Sequence, residues 1–284
     1  MNATWIGKMA TKAMLYEVST SPKPGLVDRY NSGAHEDMDY YTFIASASSL
    51  TNGFQTLANM GEALCLDPID TLLAKVRPVG IEMEKDMFSA TGGINTHKGM
   101  IFSLGLVTFM SARLNTLARG NKVEMEAILD GVAQMTQGIS ERELNGQKLS
   151  QTHGERVFKK YGTHGIRGEI EGGFPTLRNG ILDEIKTGCY DYVNLDHFFI
   201  QLLFMLMKQC DDTTIIHRHN PDTLKKVQLK ATTFLNKGGM RQSDAMEQVV
   251  DLDRNFIKEK ISPGGSADLL AVSIMLGLLE GTIN

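Results

Sequence analysis

The sequence predicts an all-α protein: a single globular helical domain over residues 1–284 with glycine-rich loops between its helices. Three observations predict this. Apolar residues recur at steps of three and four along most of the chain, which is the period of an amphipathic helix. No segment shows the strict alternation of a half-buried strand. The chain also lacks a linker, an internal repeat or a low-complexity segment, which favours one domain over two.

The helices are predicted in order from this spacing. The first, Trp5–Val18, places Ile6, Met9, Ala13 and Met14 on one face. The same pattern predicts helices over Tyr41–Leu64, Ile69–Ser89, Gly99–Leu117, Val123–Ile139, Leu195–Lys208, Leu224–Leu235, Asp244–Ile257 and Ala267–Leu279. Prolines 68 and 221 stand where helices are expected to begin. Four glycines are expected to end or kink helices: Gly61, Gly120, Gly138 and Gly188.

The composition is that of an ordinary soluble protein, with 42% hydrophobic and 22% charged residues. The net charge of -4 gives no support for binding to nucleic acid or to an anionic membrane. The longest uncharged apolar stretches, Gly99–Ala112 and Leu269–Leu279, are shorter than the ~20 residues of a membrane-spanning helix. The N-terminal residues do not resemble a secretion signal, and the three cysteines are far apart. We therefore expect a cytoplasmic protein.

Five polar loops separate the predicted helices, and each combines glycine or proline with charged or amide side chains. They cover residues 21–39, 90–99, 152–175, 211–220 and 261–270. Loops carried by a rigid scaffold are the usual location of binding and catalytic residues. We expect these five loops to meet at one active site.

The loop 90–99, ATGGINTHKG, is the least ordinary of the five. Its glycines could direct backbone N–H groups at an anion near a helix N-terminus, and Lys98 would add a positive charge. It is not a P-loop, because the order is Lys98-Gly99 and the segment before it reads as a helix. The alternative is a helix–helix connection whose His97 and Lys98 merely face water.

Carboxylates cluster in or near the same loops, where they suit Mg²⁺ or serve as helix caps. They are Asp28, Asp37, Asp39, Glu84, Asp86, Asp211, Asp212 and Asp268. Six of the histidines also lie there, without a zinc motif: His35, His97, His153, His164, His217 and His219. Arg29, Arg167 and Arg218 are suited to bidentate phosphate binding. Ser266 lacks the GxSxG context of a serine hydrolase. The residues alone thus predict an anion-binding, Mg²⁺-assisted site.

Several long motifs resemble those of the triphosphoribosyl-dephospho-CoA synthase family, over about residues 13–279. They are SPKPGLVDR (21–29), GAHEDMD (33–39), ATGGINTHKGMIFSLGL (90–106), GIRGEIEGGFP (165–175) and SPGGSADLL (262–270). The fourth loop departs from the family pattern at Thr214 and at His219-Asn220, and the third departs at His153. These departures affect the expected roles of the two loops.

The resemblance implies a ribosyl transfer. C1 of the ATP ribose is joined to the 2′-hydroxyl of 3′-dephospho-CoA, adenine leaves, and Mg²⁺ assists. The product is the precursor of the citrate lyase prosthetic group and passes to a transferase that acts on an acyl-carrier protein. A related branch serves malonate decarboxylase. Two other classes stay open: a Mg²⁺-dependent helical hydrolase of ADP-ribose-type N-glycosidic bonds and a non-catalytic nucleotide-binding regulator. A homo-oligomer is compatible with the sequence.

The site residues are assigned from these motifs. The base is expected to be Asp28 or Glu169 and the proton donor His35 or His97. The metal ligands are expected among Asp37, Glu84, Asp212 and Asp268. The residues expected to bind ATP and its phosphates are Lys23, Arg29, Gly92, Gly93, Asn95, Thr96, Lys98, Gly99, Arg167, Arg218, Gly264, Gly265 and Ser266.

Overall fold

The computed structural model describes residues 1–144 and 153–283, and these residues form helices and loops without any strand. The all-α prediction is confirmed. The described helices are α1 (Ala3–Ser19), α2 (Tyr40–Ser49), α3 (Thr51–Ala63), α4 (Ile69–Ala90), α5 (Lys98–Leu117), α6 (Met125–Thr136), α7 (Ile139–Leu144), α8 (His153–Tyr161), α9 (Gly165–Glu171), α10 (Pro175–Arg178), α11 (Ile181–Thr187), α12 (Leu195–Gln209), α13 (Thr213–Arg218), α14 (Pro221–Asn236), α15 (Ala245–Glu259) and α16 (Gly264–Glu280). Two 3₁₀ turns are Cys189–Asp191 and Gly239–Arg241.

The core is built around α5 and α16. Both helices bury residues on all sides rather than along one stripe, as expected for helices enclosed by others. Helices α1 and α3 pack on α5, α12 packs on α16, and α14 covers α12 from outside. The outer helices α14 and α15 are amphipathic, so their sequence pattern is the more regular one.

Local signals set several helix starts. The Asn2 side chain accepts a hydrogen bond from the backbone N–H of Trp5 at 2.9 Å and caps α1. Asp39 and Thr42 form a reciprocal capping box at the start of α2. Pro68 immediately precedes α4, and Pro221 is the first residue of α14. Both prolines thus stand at helix starts, as predicted.

The predicted helix Tyr41–Leu64 is wrong as one unit, because the chain breaks at Leu50 into α2 and α3. Just before the break, the Ser49 hydroxyl donates to the carbonyl of Ser46, and such bonds compete with the helical ladder. Gly61 was predicted to end or kink a helix, and it lies two residues before the end of α3. A Cβ there would be 2.3 Å from the carbonyl oxygen of Phe109, so this glycine permits close packing of α3 on α5.

The predicted loops 152–175 and 211–220 are also partly wrong, since they contain α8, α9 and α13. Helix α16 begins within the fifth predicted loop. Helices α10 and α11 were not predicted from the sequence. Helices of four to nine residues are too short to show a periodic pattern and depend on tertiary packing. Gly120, Gly138 and Gly188 have positive φ angles at helix ends, which confirms their predicted role.

Helix α5, predicted over Gly99–Leu117, extends over Lys98–Leu117. Its 20 residues reach the length and hydropathy of a membrane-crossing helix, although the uncharged stretch within it, Gly99–Ala112, is shorter. However, 72% of this apolar window is buried inside the protein. That burial is what a core helix of a globular fold shows.

Candidate active site

A cavity of about 460 Å³ lies where α4, the start of α5, α9 and the start of α16 meet. One face of α4 forms a long wall, because its cavity-lining positions follow the helical period. The apolar lining comprises Leu57, Leu73, Val76, Ile81, Phe88, Ile101, Phe102, Leu106, Ile166 and Leu269. The polar lining comprises Arg77, Glu84, Asn95, Lys98, Glu143, Arg167, Glu169, Asp211, Thr213, Thr214 and Asp268. Such a pocket, apolar with convergent polar groups, is the usual form of a small-molecule site.

The loop between α4 and α5 brings Lys98 to the cavity. Lys98 Nζ lies 2.7 Å from Glu84 Oε2 of α4, and both side chains are about one-third exposed, at 39% and 31%. Asn95 Oδ1 accepts a hydrogen bond from the Lys98 backbone N–H at 3.3 Å. Gly92 and Gly93 have φ angles of 64° and 91° and lie in open space, so they shape the turn. The positive end of α5 therefore faces the cavity.

Asp268, from the first turns of α16, meets the same helix start from the other side. Its carboxylate lies against the backbone of α5, since a Cβ at Gly99 would be 2.0 Å from Asp268 Oδ2. Burial, together with the nearby Asp212 and Glu17 carboxylates, raises the pKa of Asp268 well above its ordinary value. Two carboxylates, Glu84 and Asp268, thus flank the first residues of α5.

A second charged group lies on the cavity wall. Arg77 of α4 and Arg167 of α9 bind different oxygens of Glu143, at 2.5 and 2.9 Å. Burial raises the pKa of Glu143, but the hydrogen bonds from the two guanidinium groups outweigh it and hold the pKa below its ordinary value.

Glu169 of α9 is a further buried carboxylate of the wall. Its Oε1 accepts from the Thr176 hydroxyl at 2.5 Å and its Oε2 accepts from the Thr176 backbone N–H at 3.3 Å. Burial raises its pKa more than these two bonds lower it. A carboxylate of raised pKa is a stronger base than an exposed one.

Asp212 lies behind the cavity wall and is engaged on both oxygens. Its Oδ1 accepts from the backbone N–H groups of Thr214 and Ile215, at 3.0 and 3.3 Å. Its Oδ2 accepts from the backbone N–H and hydroxyl of Ser266, at 2.9 and 3.2 Å. Asp212 therefore caps α13 and ties it to the start of α16. A Cβ at Gly265 would lie 3.1 Å from this carboxylate, which accounts for the small residue there.

The first predicted loop, residues 21–39, is organised by its own side chains. Lys23 is buried and forms an ion pair with Glu17 of α1. Asp28 is also buried and accepts from the backbone N–H groups of Lys23, Tyr30 and Asn31. Lys23 and Asp28, both predicted as site residues, therefore stabilise the conformation of this loop.

The outer part of that loop meets α13 rather than the cavity lining. His35 Nε2 lies 3.0 Å from Ser262 Oγ, and its Nδ1 lies 3.1 Å from the Arg218 guanidinium. Burial and the positive charge of Arg218 lower the pKa of His35 to about 4, while Asp37 raises it slightly. Arg29 is engaged in an ion pair with Asp196 of α12.

His97 is enclosed beside the α5 start. Its Nδ1 lies 2.7 Å from Ser46 Oγ, which also accepts from the Thr96 hydroxyl at 2.8 Å, and its Nε2 is buried without a described partner. Burial, with a smaller effect from Lys23, lowers the pKa of His97 to about 3. The imidazole is therefore neutral at physiological pH.

The structure brings part of the predicted site together. The predicted residues that line the cavity are Glu84, Asn95, Lys98, Gly99, Arg167, Glu169, Gly265 and Asp268. The predicted residues outside its described lining are Lys23, Asp28, Arg29, His35, Asp37, Gly92, Gly93, Thr96, His97, Asp212, Arg218, Gly264 and Ser266. Their assigned roles stay predictions. The side chain of His153 lies outside the described residues.

Several charged residues of this region were not predicted from the sequence. Arg77 and Glu143 line the cavity, and Glu17 and Asp253 anchor the first loop. Each lies in a helix, outside the five glycine-rich motifs. The only sequence signal was a charge on an otherwise apolar helix face, visible for Glu17, which follows Ala13 and Met14 by four and three positions.

Comparisons with known proteins give one consistent result. The family model CitG, described as ATP:dephospho-CoA triphosphoribosyl transferase, matches residues 3–284. The chain is 38% identical over 269 residues to a probable 2-(5''-triphosphoribosyl)-3'-dephosphocoenzyme-A synthase 1 from Salmonella choleraesuis, covering 94% of this chain and 88% of that one. A probable synthase from Photobacterium profundum is 38% identical over 278 residues, at 97% and 87% coverage. Protein CitXG of Leuconostoc mesenteroides is 36% identical, covering 100% of this chain and 61% of its own length. No solved structure matches the chain.

Proposed function

Because the chain belongs to the ATP:dephospho-CoA triphosphoribosyl transferase family, we propose that it transfers the triphosphoribosyl group of ATP to the 2′-hydroxyl of 3′-dephospho-CoA and releases adenine. The product is the precursor of the citrate lyase prosthetic group. The match over residues 3–284 is the observation that carries this conclusion. The cavity supports it, because it combines cationic side chains, carboxylates and a long apolar wall.

The triphosphate is bound at the start of α5. Lys98 supplies a charge-assisted hydrogen bond, Asn95 supplies an amide, and the positive end of a 20-residue helix faces the same space. Gly99 leaves the helix start without a side chain at the cavity surface. Since the triphosphate is retained in the product, this site binds a part of ATP that positions the ribose. The leaving group is adenine.

Mg²⁺ fits the carboxylates at this position. Among residues 1–144 and 153–283, no three His, Cys, Asp or Glu side chains gather into a metal-binding group. Mg²⁺ typically needs only one or two protein carboxylates, since phosphate oxygens and water complete its shell. Glu84 and Asp268 flank the α5 start and would hold it. When bound, the ion neutralises triphosphate charge.

Glu169 acts on the acceptor. It is the one residue of the four assigned to acid–base chemistry that lines the described cavity. Its carboxylate is fixed by Thr176 and made more basic by burial, so it is suited to take the proton of the 2′-hydroxyl. It can also stabilise the positive charge that develops on the ribose at C1. A single displacement at C1 inverts its configuration from β to α.

The wider context follows from the reaction. The product passes to a transferase that acts on an acyl-carrier protein. A cytoplasmic location suits substrates made in the cytoplasm, and the three free cysteines are compatible with it. A homo-oligomer stays compatible with the chain.

Incubation of the purified protein with ATP, Mg²⁺ and dephospho-CoA tests the reaction. We expect equimolar adenine and a triphosphoribosylated dephospho-CoA, measured by liquid chromatography and mass spectrometry. Pyrophosphate in place of adenine would indicate nucleotidyl transfer and contradict the proposal. Adenine formed at the same rate without dephospho-CoA would indicate the hydrolase class, which the comparisons do not favour.

A further inference from the structure

The cavity contains a second charged cluster, in which Arg77 and Arg167 face carboxylates and take no part in the triphosphate binding proposed for Lys98. Arg77 donates from Nη2 to Oε1 of Glu143 at 2.5 Å, and Arg167 donates from Nε to Oε2 at 2.9 Å. Arg167 Nη2 also lies 3.8 Å from Glu155 Oε1. We call Arg77 and Arg167 the arginine pair.

The arginine pair has the geometry of a phosphate site. Two guanidinium groups that reach separate oxygens of one carboxylate are also spaced to reach separate oxygens of one phosphate. Both arginines line the cavity, and the Arg77 side chain is 46% exposed, so a ligand can reach it. Glu143 holds the two groups in register before a ligand arrives.

The arginine pair and Lys98 lie along the same wall. Arg77 and Glu84 are both on α4, and the Glu84 carboxylate binds Lys98. Seven residues separate Arg77 from Glu84, which places their backbones about 10 Å apart on one helix face. The cavity therefore presents two sites with basic side chains, each paired with a carboxylate, about two helical turns apart.

The reaction brings two phosphate chains together at such a separation. The donor carries a triphosphate and the acceptor a diphosphate, and in the product the two are separated by two linked ribose rings. We propose that the arginine pair binds the diphosphate of dephospho-CoA, while Lys98 and the α5 start bind the triphosphate. This inference rests on the proposed function. The apolar side chains of Leu73 and Val76 beside Arg77 then face the pantetheine arm.

The variant Arg77→Gln tests this assignment through separate Michaelis constants. We expect the KM for dephospho-CoA to rise about tenfold or more, the range for loss of a charge-assisted bond. The KM for ATP should stay within about twofold, because a separate interaction serves the donor. Arg77→Lys should raise the KM for dephospho-CoA less, because lysine keeps the positive charge but lacks the two parallel N–H donors of the guanidinium group. Arg254→Gln, which removes an exposed arginine 3.1 Å from Asp251 in α15, should change neither constant.

Three outcomes would overturn the inference. A rise in the KM for ATP alone would assign the arginine pair to the triphosphate. A rise in both constants, or in neither, would give the pair a structural role. Should Arg77→Gln fail to show a cooperative thermal transition, Arg167→Lys is judged by the same criteria. Adenine release by the unmodified protein distinguishes failure of this inference from failure of the proposed function. If the unmodified protein releases no adenine, the proposed function itself is contradicted.

Discussion

The α-carbon of Gly99 lies against the carboxylate of Asp268, so that a Cβ at position 99 would be 2.0 Å from Asp268 Oδ2. Burial raises the pKa of Asp268, and the backbone N–H of Met100, the next residue of α5, acts in the opposite direction. Gly99 thus allows a carboxylate of α16 to reach the N-terminus of α5, where the helix dipole favours negative charge. The contact between Gly99 and Asp268 therefore joins the starts of the two central helices and also forms part of the polar wall of the cavity.

The first prediction is that Gly99→Ala destabilises the protein and lowers its activity. The added methyl group displaces Asp268 or the start of α5, and overpacking of this kind costs about 1–3 kcal/mol. Urea unfolding measures the loss of free energy. Gly80→Ala is the matched control for stability alone, because Gly80 lines the cavity but a Cβ at this helical glycine of α4 meets nothing within 4 Å. The control should be stabilised by about 0.5–1 kcal/mol. Equal stability of the two variants would contradict the contact.

The second prediction separates two carboxylates that the sequence assigned to the metal. Asp212→Asn should cost about 1–3 kcal/mol of unfolding free energy, because an amide cannot accept from every donor around it and leaves buried N–H groups unsatisfied. Glu84→Gln should leave stability within about 0.5 kcal/mol, since that side chain is partly exposed. It should instead raise the Mg²⁺ concentration needed for half-maximal adenine release.

Thermal unfolding and Mg²⁺ titrations of both variants provide the measurement. A Mg²⁺ requirement shifted by Asp212→Asn at unchanged stability would return Asp212 to the metal site. Full activity of the unmodified protein after EDTA treatment would remove the metal from the mechanism.

The sequence predicted the long helices and the α4–α5 loop because their information is local. Periodicity, proline at helix starts and glycine after helix ends act over a few residues, so α4 and α5 were found nearly to their ends. Arg167 was assigned to phosphate binding from its motif, but its pairing with Arg77 could not be found in this way. Arg77 lies 66 positions from Glu143, and only the folded chain brings the two together. The packing role of Gly61 could not be found for the same reason, because it is set by Phe109 on another helix.

The third prediction concerns Lys98. Lys98→Ala should raise the KM for ATP by about 10- to 100-fold, the equivalent of losing a charge-assisted hydrogen bond. The KM for dephospho-CoA should change little. Lys85→Ala is the control, because Lys85 forms a comparable pair with Glu82 at 2.9 Å on α4, with both side chains exposed. Unchanged ATP kinetics in the Lys98 variant would remove the α5 start from the triphosphate site.

The fourth prediction uses the neutral state of His97. Its pKa is lowered from 6.5 to about 3 in the folded protein, so the unfolded chain binds one more proton between these values. Above pH 6.5, His97 does not reduce the free energy of unfolding. As the pH falls from 6.5 towards 3, the unfolded chain binds a proton that the folded protein does not, so the free energy of unfolding decreases. Between pH 7.5 and pH 5 the loss amounts to about 2 kcal/mol. His97→Asn, which does not titrate, should therefore lose that much less stability than the unmodified protein over this interval.

Urea unfolding at the two pH values measures this difference, and the contributions of the buried carboxylates and of His35 largely cancel between the two proteins. The NMR signal of the His97 ring provides an independent measurement and should not titrate between pH 5 and 8. His97 would then be unable to supply the full proton of an imidazolium to the departing adenine near pH 7. A ring that titrates near pH 6.5 would contradict both its burial and this conclusion, and would restore His97 as the proton donor that the sequence suggested.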